Sequence, residues 1–330
     1  MKKLVSLLLV LMLASLSFAC AEDLKYKEFV SENGGLTDDS GAAVTSYSLE
    51  RLFLKSQNQG GDILDGLYYT STEGMLTVID METNKSVGAM LLAKSEELTN
   101  GSKVTQPHCN SLSAHPAEGF DYPLIYTNCY SDKQNCLATL CVYSLGTELN
   151  KRGKEVFVSK LEQVIRIGFS DSTPWLSTSG GDKFPYGNFV VDSDNGLLYA
   201  IDTKSGDDCT TFFVFPLPEL TAGEYDEKLE CNVLSLMPED ALYTFDTPYI
   251  NTVQDAEYHD GKLYIVAGMA NSPVEQPACM HVIDAVNKCR VAFFDLIGDG
   301  YVAEPEMISW YDGSFYFSQY GGTTYKMYLK

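Results

Sequence analysis

The 330-residue chain has 45 acidic and 23 basic residues, which give a formal net charge of −22. This acidity excludes a nucleic-acid-binding protein, because phosphate backbones bind basic surfaces. After the first 21 residues, no segment approaches the roughly 20 uninterrupted apolar residues that a membrane-spanning helix needs, so we expect no membrane span.

The chain begins with the features of a secretory signal peptide. In "MKKLVSLLLVLMLASLSFACA", two lysines precede an apolar run that ends in small residues at Ala19 and Ala21. Cleavage after Ala21 removes residues 1–21 and leaves residues 22–330 as one exported domain. We therefore predict a secreted or periplasmic protein.

A lipoprotein signal is the alternative reading of the same segment. In "SFAC", Cys20 would become the lipidated first residue of the mature chain and would anchor it at the cell surface. Ser17 stands where such a signal prefers leucine, which favours simple secretion.

One short phrase occurs four times along the chain. Each copy joins an Asp-Gly or Asn-Gly pair, which favours a tight hairpin turn, to alternating aliphatic and aromatic residues, which favour a strand. The copies are "LDGLYYTST" (64–72), "DNGLLYAID" (194–202), "HDGKLYIVAG" (259–268) and "YDGSFYFSQ" (311–319). A tyrosine follows the glycine by three residues in every copy, and "FDYPLIYTNCY" carries a fifth tyrosine at the matching place: Tyr69, Tyr199, Tyr264, Tyr316 and Tyr126.

The spacing of these tyrosines predicts the architecture. In chain order they are 57, 73, 65 and 52 residues apart, which suits four-stranded blades with long loops. Long segments with a helical apolar period are missing from the sequence. We therefore predict an all-β protein, a single β-propeller of five blades with four antiparallel strands each, in which each phrase is the turn between the first and second strands of a blade.

The last repeat is one strand short. A strand in "LKYKEFV" or "LERLFLK", near the N-terminus, would complete it and close the ring. Two alternatives remain at this point: six blades, if residues 146–190 contain a further unit, and a pair of all-β sandwiches.

Polar residues at the predicted starts of the first strands are the candidate site. First strands line the channel of a propeller, so these side chains would converge on one channel mouth. Amides, an imidazole and carboxylates suit a polar ligand or a cation, although ordered water also accommodates polar residues in a wet channel. The candidates are Gln59, His108, Asn110, Asn188, Gln254, Asp255, Glu304 and Glu306.

Trp175 lies in a long loop, residues 170–185, that we place on the same rim. There it would stack on a sugar or a peptide, or simply cap the barrel. The sequence contains no phosphate loop, dinucleotide fingerprint or metal-binding motif, so no cofactor and no metal are expected.

The cysteines indicate disulfides. Without Cys20 the chain keeps eight of its nine cysteines, an even number typical of an oxidising compartment, and a zinc site is the alternative. Cys129 ends a predicted second strand and Cys136 begins the third, so the two would face each other at the neck of a hairpin, where a Cα separation of about 5.5 Å is reachable. We predict the bond Cys129–Cys136, with Cys109 as the rival partner of Cys129.

The chain resembles the secreted bacterial β-propellers, and residues 58–87 resemble the opening blade of the five-bladed glutamine cyclotransferases. That resemblance lies in a Gln-Gly pair, a D-G turn, an aromatic strand and an "ID-x-E-T" hairpin within "NQGGDILDGLYYTSTEGMLTVIDMETNKSV". Later blades lack that family's Asn-Gly and Thr-Gly-Lys signatures, so no catalytic residue is carried over.

Two functions follow from these observations. The first is an extracytoplasmic binding or scaffold protein that recognises a polar small molecule, a glycan, a peptide or a protein partner at the channel mouth. The alternative is a secreted enzyme: a glutaminyl cyclotransferase, as the resemblance implies, or a lyase or hydrolase that uses His108 with Glu304 or Glu306 as acid and base.

Overall fold

The computed structural model describes residues 35–38, 40–52, 59–94, 98, 109, 111–129, 139–167, 186–202, 209–250, 252–268, 278–296 and 304–330, with the backbone alone at 186 and 187. Several predictions fall outside the described residues: the signal peptide, Cys20, His108, Asn110, Cys136 and Trp175. The described part of the chain contains no helix with the length and apolar character needed to cross a membrane.

The described strands form five sheets, each with three or more consecutive antiparallel strands. Sheet 1 contains β2 (Gly60–Leu64), β3 (Leu67–Thr72), β4 (Met75–Asp80) and β5 (Lys85–Leu91). Sheet 2 starts with β6 (Leu112–His115), β7 (Leu124–Asn128), β8 (Thr139–Leu149) and β9 (Glu155–Ile167). Sheet 3 contains β10 (Tyr186–Asp192), β11 (Leu197–Asp202), β12 (Cys209–Pro216) and β15 (Tyr243–Pro248).

Sheet 4 contains β16 (Val253–His259), β17 (Lys262–Ala267), β18 (Cys279–Asp284) and β19 (Cys289–Asp295). Sheet 5 contains β20 (Pro305–Tyr311), β21 (Ser314–Gln319), β22 (Thr323–Leu329) and, outermost, β1 (Tyr47–Leu52). The first strand β20 contacts both β2 and β16, β2 also contacts β6, and β10 links sheet 2 to β16. The prediction of a five-bladed, all-β propeller is confirmed, and each sheet is one blade.

The repeated phrase is the first hairpin of a blade, as predicted. Asp65, Asp260 and Asp312 have φ values of 51°, 47° and 47°, and each precedes a glycine with φ between 74° and 77°. Two positive φ angles in succession define the turn that matches the twist of a hairpin. The five tyrosines lie in the second strands and are only 2–7% exposed: Tyr69, Tyr126, Tyr199, Tyr264 and Tyr316.

The third blade differs from the prediction in its fourth strand. From its strand-forming residues, the sequence predicts "CNVLSLMP" as the partner of β12, but this segment forms β14 (Cys231–Leu236), which pairs in parallel with the outer edge of β9 in blade 2. The short strand β13 (Glu224–Asp226) pairs with β14, and a 3-10 helix over Pro238–Asp240 leads to β15, the true fourth strand. The side chain of Gln163 on β9 secures this insertion by donating to the carbonyl groups of Glu219 and Ala222.

Residues 146–167 contain no sixth blade, because they form the ends of β8 and β9. At the other end of the chain, β1 pairs antiparallel with β22, so an N-terminal strand is the outer strand of the C-terminal sheet. This strand overlaps "LERLFLK", whereas "LKYKEFV" lies outside the described residues.

Four of the described cysteines lie in the hydrophobic core between blades 1 and 2: Cys109, Cys129, Cys141 and Cys231. Cys129 directly follows β7, next to the connection to β8, as the sequence predicts. No disulfide joins two of the described cysteines. The bond between Cys129 and Cys136 stays a prediction, because Cys136 is not described.

Acidic side chains link the first strands of neighbouring blades. Asp62 on β2 accepts hydrogen bonds at 2.7 Å from the backbone N–H of Ile63 and at 2.7 Å from that of Ala114 on β6. The Ser309 hydroxyl on β20 donates to the same carboxylate at 2.5 Å. One buried carboxylate therefore holds together the first strands of three blades.

Blades 3, 4 and 5 are linked in the same way. Asp255 on β16 accepts from the N–H of Ala256 at 2.9 Å and from that of Ile308 on β20 at 3.3 Å. The Asn188 amide on β10 donates to the carbonyl of Gln254 at 2.8 Å. These contacts fix the spacing of the strands that line the channel.

We predict that Asp62→Asn lowers the free energy of unfolding at neutral pH by about 2 kcal/mol, because an amide nitrogen cannot accept from a backbone N–H and leaves a buried donor unsatisfied. Urea denaturation measures the change. The control is Asp121→Asn, at an exposed aspartate, for which a change below about 0.5 kcal/mol is expected. Equal stability of the two variants would contradict the assigned role of Asp62.

Candidate functional site

Three consecutive first strands carry a β-bulge near their starts. The pairing with the second strand shifts at position 187 in β10, at Gln254 in β16 and at Glu306 in β20. A bulge inserts one residue without a cross-strand partner and re-aims the side chains beside it, and bulges are frequent next to active sites. Gln254 and Glu306 therefore occupy equivalent places on adjacent blades, at the end of the channel where the first strands begin.

The side chains at this channel mouth form one connected pair and one separate acid. Gln254 donates its amide to Glu304 Oε1 at 2.6 Å and to the Gly268 carbonyl at 3.2 Å, which links blades 4 and 5. Glu306 is 6% exposed, and no group within the described residues forms a hydrogen bond with its carboxyl. This small exposed fraction lies at the end of the channel where β20 begins.

The environment of Glu306 keeps its carboxyl protonated at neutral pH. Burial raises the pKa of Glu306 to about 9, and the neighbouring charge of Glu304 acts in the same direction. Burial also raises the pKa of Glu304, against the lowering effect of the Gln254 hydrogen bond. The mouth therefore offers a neutral carboxylic acid, which donates one hydrogen bond, beside a carboxyl that ionises more easily.

A second group of carboxyls lies deeper in the channel. Burial raises the pKa of Asp62 to about 6, against three hydrogen bonds that lower it. Burial raises the pKa values of Asp255 and Glu257 well above the ordinary range, and repulsion among the three acids adds to this. Glu257 keeps some solvent exposure although protein surrounds it, as expected for a side chain that lines an enclosed channel.

Ser111 adds a link between blades 2 and 3, because its hydroxyl donates to the carbonyl of Phe189 on β10 at 3.0 Å. Burial has the largest effect on the pKa of Asp255 and raises it, whereas Ser111 has a smaller, opposite effect and lowers it.

The structure separates the sequence-predicted candidates into groups. Gln254, Glu304 and Glu306 meet at the mouth, whereas Asn188 and Asp255 are buried and link blades. Gln59 lies on the rim of its own blade, where its side-chain oxygen accepts from the N–H of Glu73 at 3.0 Å, in the turn between β3 and β4. His108, Asn110 and Trp175 lie outside the described residues.

Two channel acids, Asp62 and Glu257, were not among the predicted candidates. Their positions relative to the repeated tyrosines could have identified them. Asp62 lies opposite Tyr69 on the neighbouring strand, and Glu257 lies opposite Tyr264. Within the described ranges, no three His, Cys, Asp or Glu side chains are arranged to hold a metal ion.

Comparisons with known proteins give similar folds. The structure is similar to glutaminyl cyclase from Myxococcus xanthus, with a TM-score of 0.48 and 12% identity over 87% of this chain and 95% of that one. It is also similar to virginiamycin B lyase from Staphylococcus aureus, with a TM-score of 0.40 and 12% identity over 86% of this chain and 100% of that one. A third similar structure is hydrazine synthase from Kuenenia stuttgartiensis, with a TM-score of 0.40 and 12% identity over 82% of this chain and 76% of that one. The sequence matches no protein-family model and no curated protein. These similarities concern the fold alone, and no residue role is taken from them.

We predict that Glu306→Gln changes the pH dependence of stability. Between the ordinary glutamate pKa of 4.5 and the folded-state value of about 9, the folded protein keeps a proton on Glu306 that the unfolded chain releases. Wild-type stability therefore falls as the pH rises through this window, and the variant lacks this contribution. Relative to wild type, the variant gains on the order of 6 kcal/mol near pH 9 and little near pH 4.5.

Chemical denaturation at a series of pH values measures this difference. Glu82→Gln, which removes an exposed glutamate in the β4–β5 turn, is the matched control for the loss of one carboxyl group. Parallel profiles for Glu306→Gln and wild type would show that Glu306 has an ordinary pKa.

Proposed function

We propose that this protein is an extracytoplasmic binding protein that holds a neutral or cationic polar ligand at the channel mouth, between Gln254, Glu304 and Glu306. The observation that carries the proposal is the Glu306 carboxyl, which is 6% exposed and has no hydrogen-bond partner within the described residues. A desolvated polar group without a partner costs about 1–3 kcal/mol. Such a group at an opening of the fold is suited to a partner that arrives from solution.

The protonation state of Glu306 defines the chemistry of this partner. As a neutral acid, Glu306 donates to a carbonyl or hydroxyl oxygen of a neutral ligand. An ammonium group beside Glu304 would instead favour the ionised form of Glu306 and release its proton. The net charge of −22 repels phosphorylated and polyanionic ligands.

The position of the site supports binding by a rigid scaffold. Gln254 and Glu306 belong to first strands whose backbones are fixed by the hydrogen bonds of Asn188 and Asp255. A site built on such strands loses little conformational entropy when a ligand binds. Export through the N-terminal signal, residues 1–21, is part of the proposal and would place this site outside the cytoplasm.

We predict that short peptides with a free N-terminal amine bind with release of a proton at neutral pH, because the ammonium group ionises Glu306. Isothermal titration calorimetry in buffers of different ionisation enthalpy measures the number of protons released. N-acetylated versions of the same peptides are expected to bind without proton release. Glu306→Gln should abolish the release and weaken amine binding roughly 10-fold, about 1.4 kcal/mol, whereas Glu82→Gln should change neither.

Two results would contradict this proposal. One is the absence of binding by any member of a library of short peptides and neutral oligosaccharides. The other is tight binding of a polyanion such as tripolyphosphate that depends on Glu306.

A second candidate function, an enzyme, rests on the pairing of Glu304 with Glu306. Two neighbouring carboxyls with pKa values displaced to different extents suit general acid–base chemistry in a lyase, a hydrolase or a cyclotransferase. Mass spectrometry of the peptide library after incubation tests this function. Product formation lost in both Glu304→Gln and Glu306→Gln would support catalysis, and binding without any product would support the binding protein.

A further inference from the structure

A groove with a volume of about 790 Å³ lies between blades 4 and 5. It is formed where the first hairpin turns of these two blades meet residues 36–38 and 40 of the N-terminal segment. The five residues from Gln254 to His259 along β16 separate it from the channel mouth by roughly 16 Å, at about 3.3 Å per residue. The groove is therefore on the opposite face of the propeller from the mouth, and its volume is typical of ligand pockets.

Aromatic side chains form one side of the groove. The rings of His259 and Trp310 stack with centroids 4.0 Å apart and planes inclined by 21°. Phe315 packs edge-on against Trp310 at 4.7 Å and contacts Tyr264 at 4.1 Å. Phe315 and Tyr264 are buried while His259 and Trp310 are half-buried, so the core supports an aromatic platform that stays partly accessible.

Charged groups form the rim. The Asp260 side chain is 79% exposed, and Lys262 Nζ lies 3.7 Å from its Oδ2 and donates to its backbone carbonyl at 3.1 Å. Across the groove, Asp38 Oδ1 accepts from the N–H and hydroxyl of Ser40 and from the N–H of Ala42, at 2.7–2.9 Å. The Ser40 hydroxyl bond is the main cause that lowers the pKa of Asp38, so this carboxylate is ionised and fixed in place.

This combination of groups selects the class of ligand. An apolar ligand would desolvate Asp38, Asp260 and Lys262 without replacing their hydrogen bonds. An anion would meet two carboxylates and a chain of net charge −22. A peptide that binds by adding a strand needs an unpaired strand edge, and both β17 and β22, which border the groove, are hydrogen-bonded on each side.

A neutral sugar satisfies all of these conditions. Its hydroxyl groups donate to carboxylates and accept from an ammonium group, while the apolar face of the ring packs on aromatic side chains. We propose that this groove is a second ligand site, which binds a neutral oligosaccharide with one sugar ring against Trp310 and His259. This groove is separate from the channel mouth, so the proposal is independent of the proposed function and is tested separately.

The fluorescence of Trp310 can be used to measure binding in this groove. The chain has two tryptophans, so Trp175→Phe leaves Trp310 as the single tryptophan. Cellotriose, maltotriose and N,N′,N″-triacetylchitotriose are titrated into this variant while tryptophan emission is recorded. We expect a saturable change with at least one trisaccharide, and a roughly 10-fold or greater loss of affinity in Asp260→Asn combined with Lys262→Gln.

Two controls separate this site from the mouth and from general effects on the fold. Glu306→Gln and Asp121→Asn, each in the Trp175→Phe background, are expected to bind the trisaccharide as tightly as their parent. If Trp175→Phe does not fold, fluorine NMR of the wild type labelled with fluorotryptophan resolves the two tryptophans, and Trp310→Phe assigns them. No response of Trp310 to any of the three sugars at millimolar concentration, or a response lost in Glu306→Gln but kept in the Asp260 and Lys262 variant, would overturn the proposal.

Discussion

The first strand of each blade has one edge paired with its own blade and one edge that faces the channel. Backbone N–H groups on the channel edge need acceptors, because a buried donor without one is costly. Asp62 supplies them for Ile63 and Ala114, and Asp255 supplies them for Ala256 and Ile308. The ring of five blades therefore depends on acidic side chains that point from one first strand to the next.

This constraint gives the channel acids two different roles. Asp62 and Asp255 accept hydrogen bonds from backbone N–H groups of neighbouring first strands, so they hold the strands together. Glu306 lies on a bulge, where the regular pairing is interrupted, and its carboxyl has no partner within the described residues. The same burial raises the pKa of both kinds of acid, so the pKa alone does not identify the ligand site, and the hydrogen-bond partners do.

The hairpin turns and the strand register were predictable from sequence, because they depend on local chemistry. Asp-Gly pairs adopt the two positive φ angles of the turn, and the tyrosine three residues later marks the second strand. The fourth strand of blade 3 was not predictable in this way. Both "CNVLSLMP" and "YTFDTP" have strand-forming residues, and the first of them joins blade 2 because it pairs with the outer edge of the long strand β9.

The proximity of some candidate residues was predictable from sequence, whereas their role in binding a ligand stays a prediction. Polar residues at the first-strand starts were expected to converge, and Gln254, Glu304 and Glu306 do lie near one another. The Gln59 side chain instead accepts a hydrogen bond from the backbone N–H of Glu73 in its own blade. This contact depends on the position of the turn between β3 and β4, which the residues around Gln59 do not reveal. The bulges that re-aim Gln254 and Glu306 have no sequence signature of their own, since they arise from the pairing with the second strand.

The central claim is that burial in the channel keeps Glu306 protonated while Asp62, held by backbone donors, ionises at a lower pH. Carbon-13 NMR titration of the side-chain carboxyl groups, with Glu306→Gln and Asp62→Asn used for assignment, measures this directly. We expect the Glu306 signal to titrate near pH 9 and the Asp62 signal near pH 6. Titration of the Glu306 carboxyl near the ordinary glutamate value of 4.5 would contradict the account.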